Sequence, residues 1–104
     1  LLGALPKGNV LIIDVVVSSG LAIREALTFL SNYDVNVAGA LVTMDRQEKG
    51  QNSNLMASSE LSNEGLVVHS IITLDDLLDA NEIINESVLQ DIRNYRDKFR
   101  GEDV

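Results

Sequence analysis

From Val10 to Val17 the chain reads VLIIDVVV, seven aliphatic residues interrupted only by Asp14. A continuous apolar run rich in β-branched residues predicts a strand buried on both faces, as in a parallel sheet. After Ser18-Ser19-Gly20 the period changes. Ile23, Ala26, Leu27 and Leu30 fall on one helical face, while Arg24, Glu25 and Thr28 lie elsewhere. Asn32 to Asn36 breaks that helix, and Val37 to Met44 predicts a second buried strand. Asp45 to Asn54 (DRQEKGQNSN) predicts a polar loop, and Ser53 to Asn63 a weaker helix punctuated by Gly65. Leu66 to Ile72 (LVVHSII) predicts a third strand. Thr73 is a good N-cap, with Asp75 and Asp76 in a first turn where the helix dipole favours carboxylates, and that helix runs to about Ala80. A last helix is expected over Glu82 to Arg100, with Val88, Ile92, Tyr95 and Phe99 on one stripe.

Strand, helix, strand, helix, strand, helix predicts the α/β class, with right-handed βαβ units on a parallel sheet. Residues 1–9 read as a lead-in closed by the turn Pro6-Lys7-Gly8, and residues 101–104 as a frayed polar tail. Three strands are few for a doubly wound domain. An exposed sheet edge invites pairing with another chain, so further sheet or a second subunit is expected.

Length and charge narrow the chemistry. One domain fits in 104 residues, and 45% hydrophobic content suits a globular chain. The chain has no cysteine, which removes disulfides, thiolate-bound zinc and cysteine nucleophiles and fits a cytoplasmic setting. A net charge of −8 disfavours nucleic acid as a partner and requires any phosphate to be held locally by backbone N–H groups. The apolar runs are too short to cross a membrane. The opening Leu-Leu-Gly, without methionine, suggests a piece of something longer.

Two constellations could carry chemistry. A strand ending in Ser18-Ser19-Gly20 at a helix start directs N–H groups, hydroxyls and the positive dipole end at one spot, with Asp14 in reach of a sugar hydroxyl. The alternative is that backbone amides satisfy Asp14 and the serines cap the helix. In the DRQEKG loop, Arg46 offers a planar fork of donors to a planar anion, or else belongs to a solvated turn. His69, with no second histidine or cysteine beside it, reads as a half-buried strand residue, and no residue set reads as a protein metal site.

The stretch VLIIDVVVSSGLAIRE resembles the phosphoribosyl pyrophosphate (PRPP) motif of the type I phosphoribosyltransferases, in which an acidic pair precedes a hydroxyl- and glycine-rich loop at a helix start. Leu1 to Leu5, the segment Val37 to Gly50 with its DRQEKG loop, Ser70 to Leu77 (SIITLDDL) and the late Tyr95-Arg96 helix resemble the orotate-specific branch of that family, in order and nearly end to end. The resemblance implies the type I phosphoribosyltransferase fold, incomplete because the N-terminal half is absent. It implies Asp14 at the ribose hydroxyls, and Ser18, Ser19, Gly20, Leu21 and Ala22 around the 5′-phosphate. Ser18 would also face the pyrimidine, and Arg46 would meet orotate. The resemblance further implies magnesium arriving with PRPP, orotidine 5′-monophosphate and pyrophosphate as products, and a homodimer as the assembly.

Two departures stand out. Val15 occupies the second acidic position and Leu21 a hydroxyl position. Losing one such preorganised contact costs about 3 kcal/mol in the transition state. The family's missing half also supplies a lysine-bearing loop. The expectation is therefore a chain inactive alone, derived from a pyrimidine-synthesising transferase. The alternative is a non-catalytic nucleotide-binding, regulatory or assembly module.

Overall fold

A computed structural model describes residues 5–80 and 84–102. In chain order these form β1 (Gly8–Val17), α1 (Leu21–Leu30), β2 (Val35–Asp45), α2 (Ala57–Asn63), β3 (Val68–Thr73), α3 (Leu74–Asp79) and α4 (Glu86–Phe99). The three strands lie parallel in the order β1-β2-β3, as expected of consecutive βαβ units. Rows such as Ile13–Leu41–His69 run straight across the sheet.

One face of the sheet makes the core. Ala40 and Val42 of β2 pack with Val17, Ile23 of α1, Ala57 and Leu61 of α2, and Leu66. Ile12, Leu27, Val37 and Val68 border this cluster. The other face corrects the expectation of strands buried on both sides. Along β1 the residues alternate between partly buried and exposed, and Ile13 and Val15 are about 70% exposed (72% and 69%). The cause is simple. Both α1 and α2 pack on the same side, so the aliphatic residues pointing the other way meet no helix among the described residues. His69 shares that exposed side rather than being half-buried.

The ends of elements differ from expectation for local reasons. Asn85 caps α4 by accepting from the Val88 N–H at 3.0 Å, so the helix starts at Glu86; residues 82 and 83 of the expected helix lie outside the described residues. Leu89, not Val88, is the buried anchor of α4. Thr73 caps α3 as expected, and the Asp76 side chain returns the bond to complete a reciprocal capping box. Gly101 and Glu102, expected in a frayed tail, are tied down: the Gly101 N–H donates to the Gln47 carbonyl and Glu102 pairs with Asn54 and Met56. Residues 1–4 and 103–104 of the expected lead-in and tail are not described.

Glu60 joins three of these parts. It is 5% exposed, yet its carboxylate accepts from Arg24 of α1 at 2.5 Å, from the Ser53 hydroxyl at 2.6 Å, and from the Gln51 and Asn52 N–H groups. Gly50 lies so close that an added Cβ would stand 2.5 Å from the carboxyl carbon, so a side chain there would displace the carboxylate from its donors. Arg24 extends the network to Glu64 through two further bonds. Burial pushes the Glu60 carboxyl up, but Ser53, Arg24 and Asn52 outweigh it and hold the group below the ordinary glutamate range. Glu60→Gln should lower unfolding free energy by about 2 kcal/mol near neutral pH, since it leaves Arg24 short of a charged partner. A carboxyl depressed in the folded state stabilises above its unfolded pKa and loses that contribution as pH falls through the folded value. The gap between wild type and Glu60→Gln in urea midpoints should therefore close in acid, below about pH 4.

Candidate functional site

The turn after β1 is built by one backbone choice. Gly20 adopts φ 85° at the N-cap of α1, a left-handed conformation that glycine takes without a Cβ penalty. Ala57 and Leu61 of α2 press against it, at 3.4 and 3.5 Å from where a Cβ would stand. No side chain caps α1, so neither serine serves as its cap. The turn opens onto a cavity of about 280 Å³ lined by Val16 to Ile23 and Glu25. All five residues expected to hold phosphate, Ser18, Ser19, Gly20, Leu21 and Ala22, line it. No lysine or arginine does, and Arg24 is committed to Glu60 and Glu64. An anion in this cavity would rely on hydroxyls, N–H groups and the helix dipole.

Asp14 stands apart from that cavity. Strand alternation puts it on the helix-covered side with Ile12, and its carboxylate accepts the next residue's N–H at 2.7 Å. Val15, on the opposite side, points away from α1 and α2. Two successive strand positions thus serve opposite faces.

Arg46 reaches the turn through its backbone, which donates to the Val17 carbonyl at 3.0 Å. Its side chain goes elsewhere. The guanidinium lies over the Tyr95 ring, 4.9 Å from the centroid, contacts the Tyr95 hydroxyl, and pairs with Glu48 at 3.1 Å. The Tyr95 hydroxyl donates to Glu48 at 2.6 Å. A cleft of about 330 Å³ adjoins this group, lined by Arg46, Leu74, Val88, Asp91, Ile92 and Tyr95. Ser18 and the Arg46 side chain therefore line two separate cavities in this state.

The rest of the DRQEKG loop is a junction. Gln47 holds φ 56°, costly for a residue with a Cβ. It is fixed from every side: its N–H donates to Asp45 at 2.8 Å, its carbonyl accepts from Gly101, and its side-chain oxygen accepts the Asp75 N–H at 2.9 Å. Arg100 pairs with Asp75 and holds that carboxyl below the ordinary range. The sequence reading missed Gln47, Glu48 and Glu60 as partners. The only sequence signal for Gln47 and Glu48 is the density of hydrogen-bonding residues in one short loop, and Glu60 lies outside it in α2.

For magnesium, the donors present do not make a protein-held site. No cluster of three histidine or carboxylate ligands occurs among the described residues, and the strand end offers Asp14 alone beside Val15. No helix among the described residues is long and apolar enough to cross a membrane.

Comparison with known proteins agrees with this architecture. Orotate phosphoribosyltransferase of Acinetobacter baumannii is 43% identical over 102 residues, covering 95% of this chain and 47% of that protein. The crystal structure of the Francisella tularensis orotate phosphoribosyltransferase superposes with a TM-score of 0.67 at 25% identity, over 89% of this chain and 47% of the other. Leishmania donovani UMP synthase superposes at 0.73 with 26% identity, over 93% of this chain and 21% of the other. No protein-family model matches. The three parallel strands with their alternating helices are thus part of the type I phosphoribosyltransferase fold. Within that class the chain groups with the orotate phosphoribosyltransferases and corresponds to their C-terminal half. It spans about half the length of the curated relatives it matches.

Burial first, then the hydrogen bond to Glu48, raises the Tyr95 phenol above the ordinary tyrosine range. In a tyrosinate-absorbance titration Tyr95 should ionise late, and Glu48→Gln should bring it down. An unchanged titration would mean that Glu48 does not hold the Tyr95–Arg46 group.

Proposed function

We propose that this chain is the phosphate-holding portion of an orotate phosphoribosyltransferase, whose full reaction joins orotate to PRPP and gives orotidine 5′-monophosphate and pyrophosphate. The observation that carries this reading is the Gly20 turn, where five residues of the PRPP-motif resemblance line one cavity at a helix start. There the N–H groups and hydroxyls suit a 5′-phosphate. Asp14 would serve the ribose hydroxyls. Arg46 would serve orotate after leaving Glu48 and Tyr95, a short swing for a side chain that is 37% exposed. Magnesium, when present, would be held by the diphosphate oxygens that bring it. A homodimer of the complete assembly belongs to the same proposal.

This chain alone is proposed to be inactive. Its loop cavity contains no cation to stabilise a departing pyrophosphate, and Val15 cannot accept a hydrogen bond from ribose. A second reading rests on those same residues. With Val15 and Leu21 in place the chain would be a non-catalytic phosphoribosyltransferase-like module that binds a nucleotide or assembles with a partner.

Two measurements test these readings. Isothermal titration with PRPP and magnesium should show binding that Gly20→Val abolishes, because a side chain at that φ blocks the turn; no heat up to millimolar PRPP would remove the phosphate site. Combined with an upstream half from a related enzyme, Val15→Asp with Leu21→Thr should raise orotidine monophosphate formation by on the order of 100-fold over the unaltered chain. If the restored pair forms no product, the second reading replaces the first.

A further inference from the structure

We propose that Glu48 and Tyr95 are positioning residues that keep the Arg46 guanidinium in a resting seat, and that a pyrimidine carrying a carboxylate draws it out by taking the place of the Glu48 carboxylate. The inference deepens the reading of Arg46 as the orotate residue and rests on it.

The seat is closed on itself. One Glu48 oxygen faces the Arg46 Nε at 3.1 Å and accepts from the Tyr95 hydroxyl at 2.6 Å. The Tyr95 ring lies under the guanidinium, and its hydroxyl also contacts a terminal nitrogen of Arg46. Both holders are braced from outside. The Glu48 carbonyl accepts the Ala57 N–H at 2.8 Å, and the Lys49 N–H donates to the Phe99 carbonyl at 3.0 Å. Tyr95 sits on α4 with its ring against Phe99, the centroids 4.7 Å apart. The Glu48 side chain is 12% exposed and that of Arg46 37%. The holders are thus buried and fixed, and the held group is the one with room to move.

Arg46 stands between two cavities. Its N–H donates to the Val17 carbonyl at 3.0 Å, so its backbone adjoins the cavity that Val17 to Ala22 line. Its side chain lines the other. Rotation about side-chain bonds alone turns the cation from one toward the other. Chemistry selects what can move it. In the seat the guanidinium faces a single carboxylate oxygen. A planar carboxylate ligand offers two, in the bidentate geometry that guanidinium prefers. A neutral ring carbonyl offers a weaker bond than the one it would replace. The seat therefore lowers orotate affinity by the fraction of molecules in which Arg46 is released. It leaves uracil, which gains nothing from that release, unaffected.

The test titrates this chain with orotate and with uracil and follows binding by NMR shifts. As the seat loosens, Glu48→Gln should bind orotate about tenfold tighter than wild type and Tyr95→Phe about threefold tighter, with uracil unchanged. Orotate should also move the Tyr95 ring resonances, as a cation leaves the ring face, and not those of Tyr33. Removing a negative charge at residue 48 by itself favours an anion, so both variants are repeated with Arg46→Gln. In that background both gains should vanish, because no guanidinium is left to hold back. Circular dichroism checks that each variant folds. The proposal is overturned by weaker orotate binding in Glu48→Gln or Tyr95→Phe, by gains that persist without Arg46, by orotate binding that leaves the Tyr95 ring unmoved, or by no orotate binding in any of these proteins. If Arg46→Gln alone weakens orotate binding while the two gains are absent, the seat falls and Arg46 keeps its role. Neither probe carries a phosphate, so the gains would stand even if PRPP failed to bind at the Gly20 turn.

Discussion

Glu60 is a carboxylate almost without solvent, and the fold is arranged so that it never lacks a partner. One oxygen meets the guanidinium of α1 and the other the Ser53 hydroxyl, while two successive amides close in from the 50–54 loop. Removing such a group from water is costly, and the cost is offset only when the surrounding donors are fixed in place. That requirement fixes much else. It holds the helix that follows the Gly20 turn against α2. It also anchors the far end of the loop whose near end carries Arg46. One buried charge that lines neither cavity thus ties the helix of the turn to the far end of the loop that carries Arg46.

The same loop shows how a motif can look functional while most of its residues are structural. Asp45, Gln47 and Glu48 of DRQEKG are spent on Gln47's own backbone, on the α3 start, on Gly101, and on Tyr95. Gly50 exists to admit Glu60. Arg46 is left with a side chain held by the Tyr95 ring face, the Tyr95 hydroxyl and one carboxylate, each worth about 1 kcal/mol at such exposure. A guanidinium parked this lightly is available to a planar anion. One held as Arg24 is, by three hydrogen bonds to two carboxylates, is not.

Much of this architecture was legible from periodicity. The aliphatic runs at Val10 and Val37, the change of period after Gly20 and the Thr73 N-cap each correspond to an observed element, because each is a local preference that tertiary packing reinforces. What periodicity could not give was the identity of the covering surface. An all-apolar strand states that both faces avoid water, not that this stretch of chain supplies both covers. Leu89 was displaced by Val88 in the expected stripe for a similar reason, since neighbouring helical positions differ by only 100° and the packing partner decides between them. Gln47 was invisible because glutamine is not a turn former. Its left-handed backbone follows from partners at residues 45, 75 and 101, which no local window contains.

Val15 connects the site and the open face. Successive strand residues point to opposite sides, so an acidic pair at positions 14 and 15 would put one carboxylate toward α1 and α2 and the other on the exposed sheet. With valine there, the exposed side gains a continuous apolar run from Leu11 through Ile13 to Val15. Covering that run strengthens association by roughly 25 cal/mol per Å² of apolar surface, whereas a carboxylate at the same place would need a donor from whatever covers it. Valine at position 15 thus favours burial of this face. The exposure of this run follows from the alternation of the strand and from one side chain at position 15.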